Sequence, residues 1–124
     1  MKNIITVARR KKMAEASHSS GRLAPVKWIA LGSGGVDMDN NVIIPLAENI
    51  MLNQEEFRKE YTHSEKVSDT CYAYTLELNK QDLLGISISE IALIDAEGDV
   101  IAFSNFLPII KDDVETSFTI EDSY

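Results

Sequence analysis

The sequence is poor in the residues that most often carry chemistry: one cysteine, Cys71, one tryptophan, Trp28, and two histidines in 124 residues. A lone cysteine excludes an internal disulfide and any cysteine-based zinc site, and it fits a reducing compartment. Cys71 reads as a half-buried strand residue. His18 and His63 stand in different segments, neither with the i, i+4 partner of a helical metal site, and read as surface residues. Long apolar runs are also missing, so no segment approaches the roughly 20 residues that cross a bilayer. The N-terminus carries Lys2, Arg9, Arg10, Lys11 and Lys12 but lacks the apolar stretch and small-residue site of a secretory signal, which predicts folding in a cytoplasm.

Basic charge is scarce as well. Twelve Lys and Arg stand against twenty Asp and Glu, for a net charge of -8 and a pI near 4.7. That balance opposes phosphate attraction, and nucleic acid is not an expected partner. The basic residues that exist are concentrated: residues 1 to 27 hold seven Lys and Arg against Glu15 alone. The run Arg9-Arg10-Lys11-Lys12 is open to three readings: a solvated helix face, a local anionic contact, or a basic end that meets the acidic end of a neighbouring subunit.

What is present is a globular pattern. Hydrophobic residues make up 44% of the chain, no low-complexity tract interrupts them, and one domain over residues 1–124 is expected. Residues 3 to 19 are rich in helix formers, with Asn3 or Thr6 as cap, a thin apolar stripe including Ile4, Ile5, Ala8 and Met13, and Gly21 as a left-handed stop. "VKWIALG", 26–32, reads as a strand, and "GSGGVDMDNN", 32–41, as a flexible loop. Leu46, Ile50, Phe57 and Tyr61 fall mostly at three- or four-residue multiples, and Asn53 and Glu56 have capping-pair spacing, so 46–60 reads as partly helical.

From residue 70 the period drops to two. Tyr72, Tyr74, Leu76 and Leu78 alternate with Ala73, Thr75, Glu77 and Asn79, and Val114, Thr116, Phe118 and Ile120 repeat the pattern. "IALIDAEGDVIAFSNF", 91–106, is a hairpin with Gly98 at a positive-φ turn position and a wet acidic tip. The fold class is therefore α+β: an N-terminal helix packed on an antiparallel β-sheet or β-sandwich.

Candidate chemistry is thin. Asp37, Asp39, Asn41, Ile44 and Glu48 occupy positions one, three, five, eight and twelve of a calcium loop, but Val42 replaces the glycine of the sharp turn, Pro45 stiffens the ninth position, and flanking helices are not evident. "GSGG", 32–35, has the glycines of a phosphate loop without the Gly-Lys-Ser/Thr that should follow. No Gly-x-Ser-x-Gly elbow occurs, and Asp95, Glu97 and Asp99 sit at a turn where nothing would tune them for acid-base work. The expectation is a protein that is not an enzyme, with no catalytic residues, cofactor or metal, whose interface is Arg9, Arg10, Lys11, Lys12 and Met13.

"ISEIALIDAEGDVIAFSNFLPI", 88–109, resembles the motif of the phage tail-collar fibre family. Ile88, Glu90, Ile91, Leu93, Asp95, Gly98, Ile101, Asn105, Phe106 and Pro108 fall on it, and Ala92 stands where the family has glycine. "VKWIALGSGG" is similar to the family's Lys-x-x-x-Leu-Gly-x-Gly stretch through Lys27, Leu31, Gly32 and Gly34. "LAENIMLNQEEFRKEY" is similar to its Leu-rich segment through Glu55 and Arg58, while a basic run replaces the Thr-x-x-Gly start. The resemblance implies a structural component of a phage tail or phage-derived contractile particle, assembled in bacterial cytoplasm, that attaches a fibre to the baseplate as a homo-oligomer, by family habit a trimer. With the chain ending at Tyr124, an attachment, adaptor or baseplate role is expected rather than that of the adhesin. The alternative from the residues alone is a small carbohydrate- or calcium-binding β-sandwich module, against which Trp28 reads as core rather than as a glycan platform.

Overall fold

The computed structural model describes residues 4–19 and 21–124. Its elements are β1 (Ile4–Ile5), α1 (Val7–Ser19), β2 (Val26–Gly32), β3 (Glu55–Glu60), β4 (His63–Ser68), β5 (Cys71–Leu78), β6 (Ser87–Asp95), β7 (Val100–Ile110) and β8 (Thr116–Ser123). All strand pairs are antiparallel, in a five-stranded sheet of order β1-β7-β6-β2-β3 and a three-stranded sheet of order β4-β5-β8. The expected α+β class is what forms, in its two-sheet version.

Period-two alternation explains the layering. Ile29 and Leu31 of β2 and Ile91 and Leu93 of β6 point to one side, where they meet Leu76 and Leu78 of β5 and Phe118 and Ile120 of β8 in the core between the sheets. The intervening Ala30, Ala92 and Ile94, with Phe103, point to the opposite side and pack with Leu52, Ile4 and Trp28. β6 lies between β7 and β2 and is covered on both faces, so it is buried from Ile88 to Asp95. The edge strands β3 and β4 are mostly exposed and charge-rich, which blunts edge-to-edge pairing. Between these two strands the chain crosses from one sheet to the other: the Tyr61 N–H donates to Lys27 C=O, and the Thr62 N–H to Thr75 C=O.

Several local expectations are corrected. The helix begins at Val7, because Ile4 and Ile5 pair with Phe103 and Ala102 as strand β1; the other proposed cap, Asn3, lies outside the described residues. Thr6 is the cap: its hydroxyl accepts from the Arg9 N–H at 3.2 Å and donates to Val100 C=O at 2.7 Å. Gly21 is not in the left-handed region, where only Gly85 and Gly98 are found among the glycines. Residues 46–60 are not helical; they form turns and then β3, since β2 offers Phe57 and its neighbours a ladder that their spacing does not reveal. Tyr72 and Val114 are exposed rather than core, Val114 lying before β8 begins. Gly98, at φ 89°, takes the turn role expected of it.

Candidate functional site

Two polar centres hold α1 and the 33–54 segment in place. The first belongs to α1. The helix has almost no apolar face, and its basic run divides: Arg10 and Lys11 are exposed, Met13 is half-buried, and Arg9 and Lys12 turn inward. Arg9 is buried; its Nε donates to Tyr124 Oη at 2.9 Å and Nη1 to Ala24 C=O at 3.3 Å, while Nη2 lies 3.9 Å from Asp122 Oδ2. Lys12 Nζ meets Asp95 Oδ2 at 2.8 Å, Glu97 Oε1 at 3.0 Å and Asp99 Oδ2 at 2.6 Å.

The titration behaviour follows from this packing. Burial pulls the Lys12 pKa down, but hydrogen bonds to Asp95, Asp99 and Glu97 more than offset that and leave it raised. Burial pushes Asp122 above the usual carboxylate range, against the opposing hydrogen bond from Tyr124 and the Arg9 charge. Burial likewise pushes the Tyr124 phenol up to about 12 although Arg9 pulls it down.

The hairpin tip is consequently not wholly wet. Asp95 is fully buried, and its Oδ1 accepts from the Glu97 and Asp99 N–H groups, both at 3.0 Å, while Oδ2 takes Lys12. Of the three acids only Glu97 and Asp99 are exposed.

The second centre is Glu90, buried on β6. Its carboxylate accepts N–H groups from Gly34 at 2.8 Å, Asn53 at 2.9 Å and Gln54 at 2.8 Å, tying the segment after β2 to the segment before β3. Gly34 and Gly35 are required here by close approach: a Cβ on Gly35 would collide with the Ser89 carbonyl, and one on Gly34 would fall 2.6 Å from Asn53 Cβ. The Gly35 N–H also donates to Ser89 Oγ at 2.8 Å. "GSGG" is therefore a fixed junction, not the flexible connector its glycines suggest.

The remaining candidates resolve as follows. Asp37 Oδ1 accepts from the N–H groups of Asp39 and Asn41, both at 2.9 Å, closing a tight turn beside the Val36–Val42 bridge, with Asn40 at φ 65°. Among the described residues, no group of three or more His, Cys, Asp or Glu is placed to hold a metal ion. His63 lies at the surface with Nε2 3.5 Å from Glu77 Oε1, and His18 is exposed. Cys71 is buried, with its thiol pushed up by burial. Trp28 is half-buried, with Lys27 Nζ 4.7 Å from its ring centre. No helix among the described residues is long and apolar enough to cross a membrane.

Sequence reasoning missed the inward roles of Arg9, Lys12, Asp95 and Glu90, and also Lys111, a buried lysine whose Nζ donates to the carbonyls of Asn79, Lys80 and Asp112. One signal existed: Glu90 directly precedes the apolar run Ile91–Ile94, and a carboxylate buried there must find donors. No family model, curated protein or solved structure matches the chain.

Proposed function

We propose that this protein is a structural component of a phage tail or phage-derived contractile particle that attaches a fibre to the baseplate. The observation that carries the reading is the convergence of the separate stretches that resemble the tail-collar family. Gly34 donates to Glu90, Asn105 stands opposite Glu90 in the β6–β7 register, and Arg58 pairs with Glu55 at 2.8 Å. Gly34, Glu90 and Asn105 thus meet at one junction, while the Arg58–Glu55 pair lies within β3, as expected if the likeness reflects a shared fold and use.

On this reading the protein works by assembly, as a homo-oligomer, with no chemistry of its own and no nucleic acid as partner. The exposed face of α1 is the docking element. Of its basic run only Arg10 and Lys11 are free to meet a partner, because Arg9 and Lys12 are engaged within the chain. Met13 borders that face.

The test is incorporation into the particle. Arg10→Glu with Lys11→Glu should leave the domain folded, since both side chains are exposed, yet block incorporation, and salt should weaken wild-type association in the same direction. Normal incorporation of that variant would remove the helix face from the proposal. Particles that keep their fibres when this protein is deleted would remove the attachment role itself.

A further inference from the structure

The outer loop before β3 encloses a depression of about 110 Å³ against the five-stranded sheet, lined by Ile44, Leu46, Met51, Glu90, Phe103 and Asn105 among others. Its rim is apolar and open to solvent: Ile44 is 81% exposed, Leu46 57% and Met51 66%. Patches of that kind mark contact sites. The polar groups behind the rim are hydrogen-bond acceptors in want of a donor. Asn105 Nδ2 donates to Ile43 C=O at 2.9 Å, which fixes the orientation of the amide, and its Oδ1 is buried without a partner among the described residues. Glu90 uses its two oxygens for three N–H groups, which leaves room for one more of the roughly four a carboxylate takes, and it has no ion pair among the described residues.

The loop itself carries one sign of charge. From Ser33 to Phe57 the chain has Asp37, Asp39, Glu48, Glu55 and Glu56 and not a single Lys or Arg. The loop is also held in shape before any partner arrives, by Glu90, by the Ile43 N–H to Gly35 C=O bond at 2.9 Å, and by the Val7 N–H to Ala47 C=O bond at 2.8 Å. An apolar rim, an acceptor floor and an acidic setting match one kind of side chain: an aliphatic stem ending in a cation.

We infer that this depression is a socket for a lysine or arginine side chain from an apolar, basic segment of a partner protein. The stem packs on Ile44, Leu46 and Met51, and the cation donates to Asn105 Oδ1 and Glu90. This surface is distinct from the exposed Arg10 and Lys11 face of α1, and it is testable in the isolated protein whatever the particle turns out to be.

The probe is the peptide acetyl-Leu-Lys-Leu-amide, titrated at millimolar concentration into the isotope-labelled full chain and followed by NMR. Shifts should concentrate on the backbone N–H groups of Gly34, Asn53 and Gln54 and on the Asn105 side-chain amide. The analogue with norleucine for lysine should bind about tenfold more weakly, lacking the charge-assisted bonds. Ile44→Ser with Met51→Ser, both at exposed positions and neutral in charge, should weaken the lysine peptide by about fivefold. Equal binding of the two peptides would overturn the socket, leaving only a greasy patch. Equal binding by the rim variant, or shifts spread over the acidic surface, would reduce it to diffuse attraction. Absence of any shift would mean that water alone suits the depression, and ammonium chloride matching the peptide would make it an inorganic cation site. Wild-type self-association in sedimentation, lost in the rim variant, would identify the occupant as a second copy and overturn the separate partner.

Discussion

The two faces of the five-stranded sheet are held by different forces. Toward β5 and β8 the contact is apolar: Ile29, Leu31, Leu76, Ile91, Leu93 and Ile120 are all essentially inaccessible to water. Toward the 33–54 segment the contact includes a small apolar cluster around Ile94 and Phe103 together with the Glu90 carboxylate, while α1 is held to the sheet by Thr6 and Lys12 and tied by Arg9 to Asp122 and Tyr124 at the end of β8. The first face is non-directional and tolerates solvent conditions that leave burial alone. The second depends on geometry and ionisation, and so is the face that mutation, salt and pH can address locally.

The sharpest way to separate them is to cut the apolar face. Leu76→Ala should cost about 2–5 kcal/mol by chemical denaturation, with little dependence on salt, because a cavity is left in a close-packed core. A loss that salt strongly modulates would erase the distinction between the faces.

Glu90→Gln keeps the shape but replaces a carboxylate that three N–H groups share. The loss of charge-assisted bonding should cost about 2–3 kcal/mol. Hydrogen exchange should speed up around residues 33–36 and 52–55 more than in β5 and β8. Uniform acceleration would show that the loop is part of the global core instead of a separately hooked layer.

Lys12→Met removes the hook between α1 and the hairpin. Lys12 is partly exposed, and Asp95 keeps two backbone donors, so the cost should be only about 1 kcal/mol. Added salt should shrink the difference between variant and wild type, and amide protection in α1 should fall while that of β6 holds. An unchanged helix would mean that Arg9 and Thr6 suffice.

The smallest effects are in pH. Asp122 has its folded pKa raised, so its ionised form is penalised in the folded state at neutral pH. As pH falls through the raised value the folded protein takes up a proton that the unfolded chain does not, and this group's contribution moves in favour of folding. Asp122→Asn should remove that component from the acid limb of the stability curve. Tyr124 gives the alkaline counterpart: with its folded pKa at about 12 against about 10 unfolded, stability should fall as pH rises between these values. Tyr124→Phe should flatten the decline, and an unaltered alkaline limb would mean that the phenol is as solvated folded as unfolded.

Alternation in 71–79 and 116–120 and the Gly98 turn were legible because they are local: a strand buried on one face must alternate, and a tight hairpin turn must admit positive φ. Thr6 was legible as a cap for the same reason. The sequence by itself therefore determined the strands β2, β5, β6, β7 and β8, most of the helix, and the α+β class. It could not say that Ile4 and Ile5 would leave the helix for the edge of β7, because that edge is made by residues almost a hundred positions away. Nor could it turn Arg9 and Lys12 inward while leaving Arg10 and Lys11 outward, since a run of four cations has no pattern of its own and only the placement of Asp95, Asp122 and Tyr124 chooses among them. Glu90 makes the point most clearly. Its carboxylate was visible in the sequence at the head of the apolar run Ile91–Ile94, but its donors come from two distant loops, and a hydrogen bond between segments exists only once the fold has brought them within three ångströms.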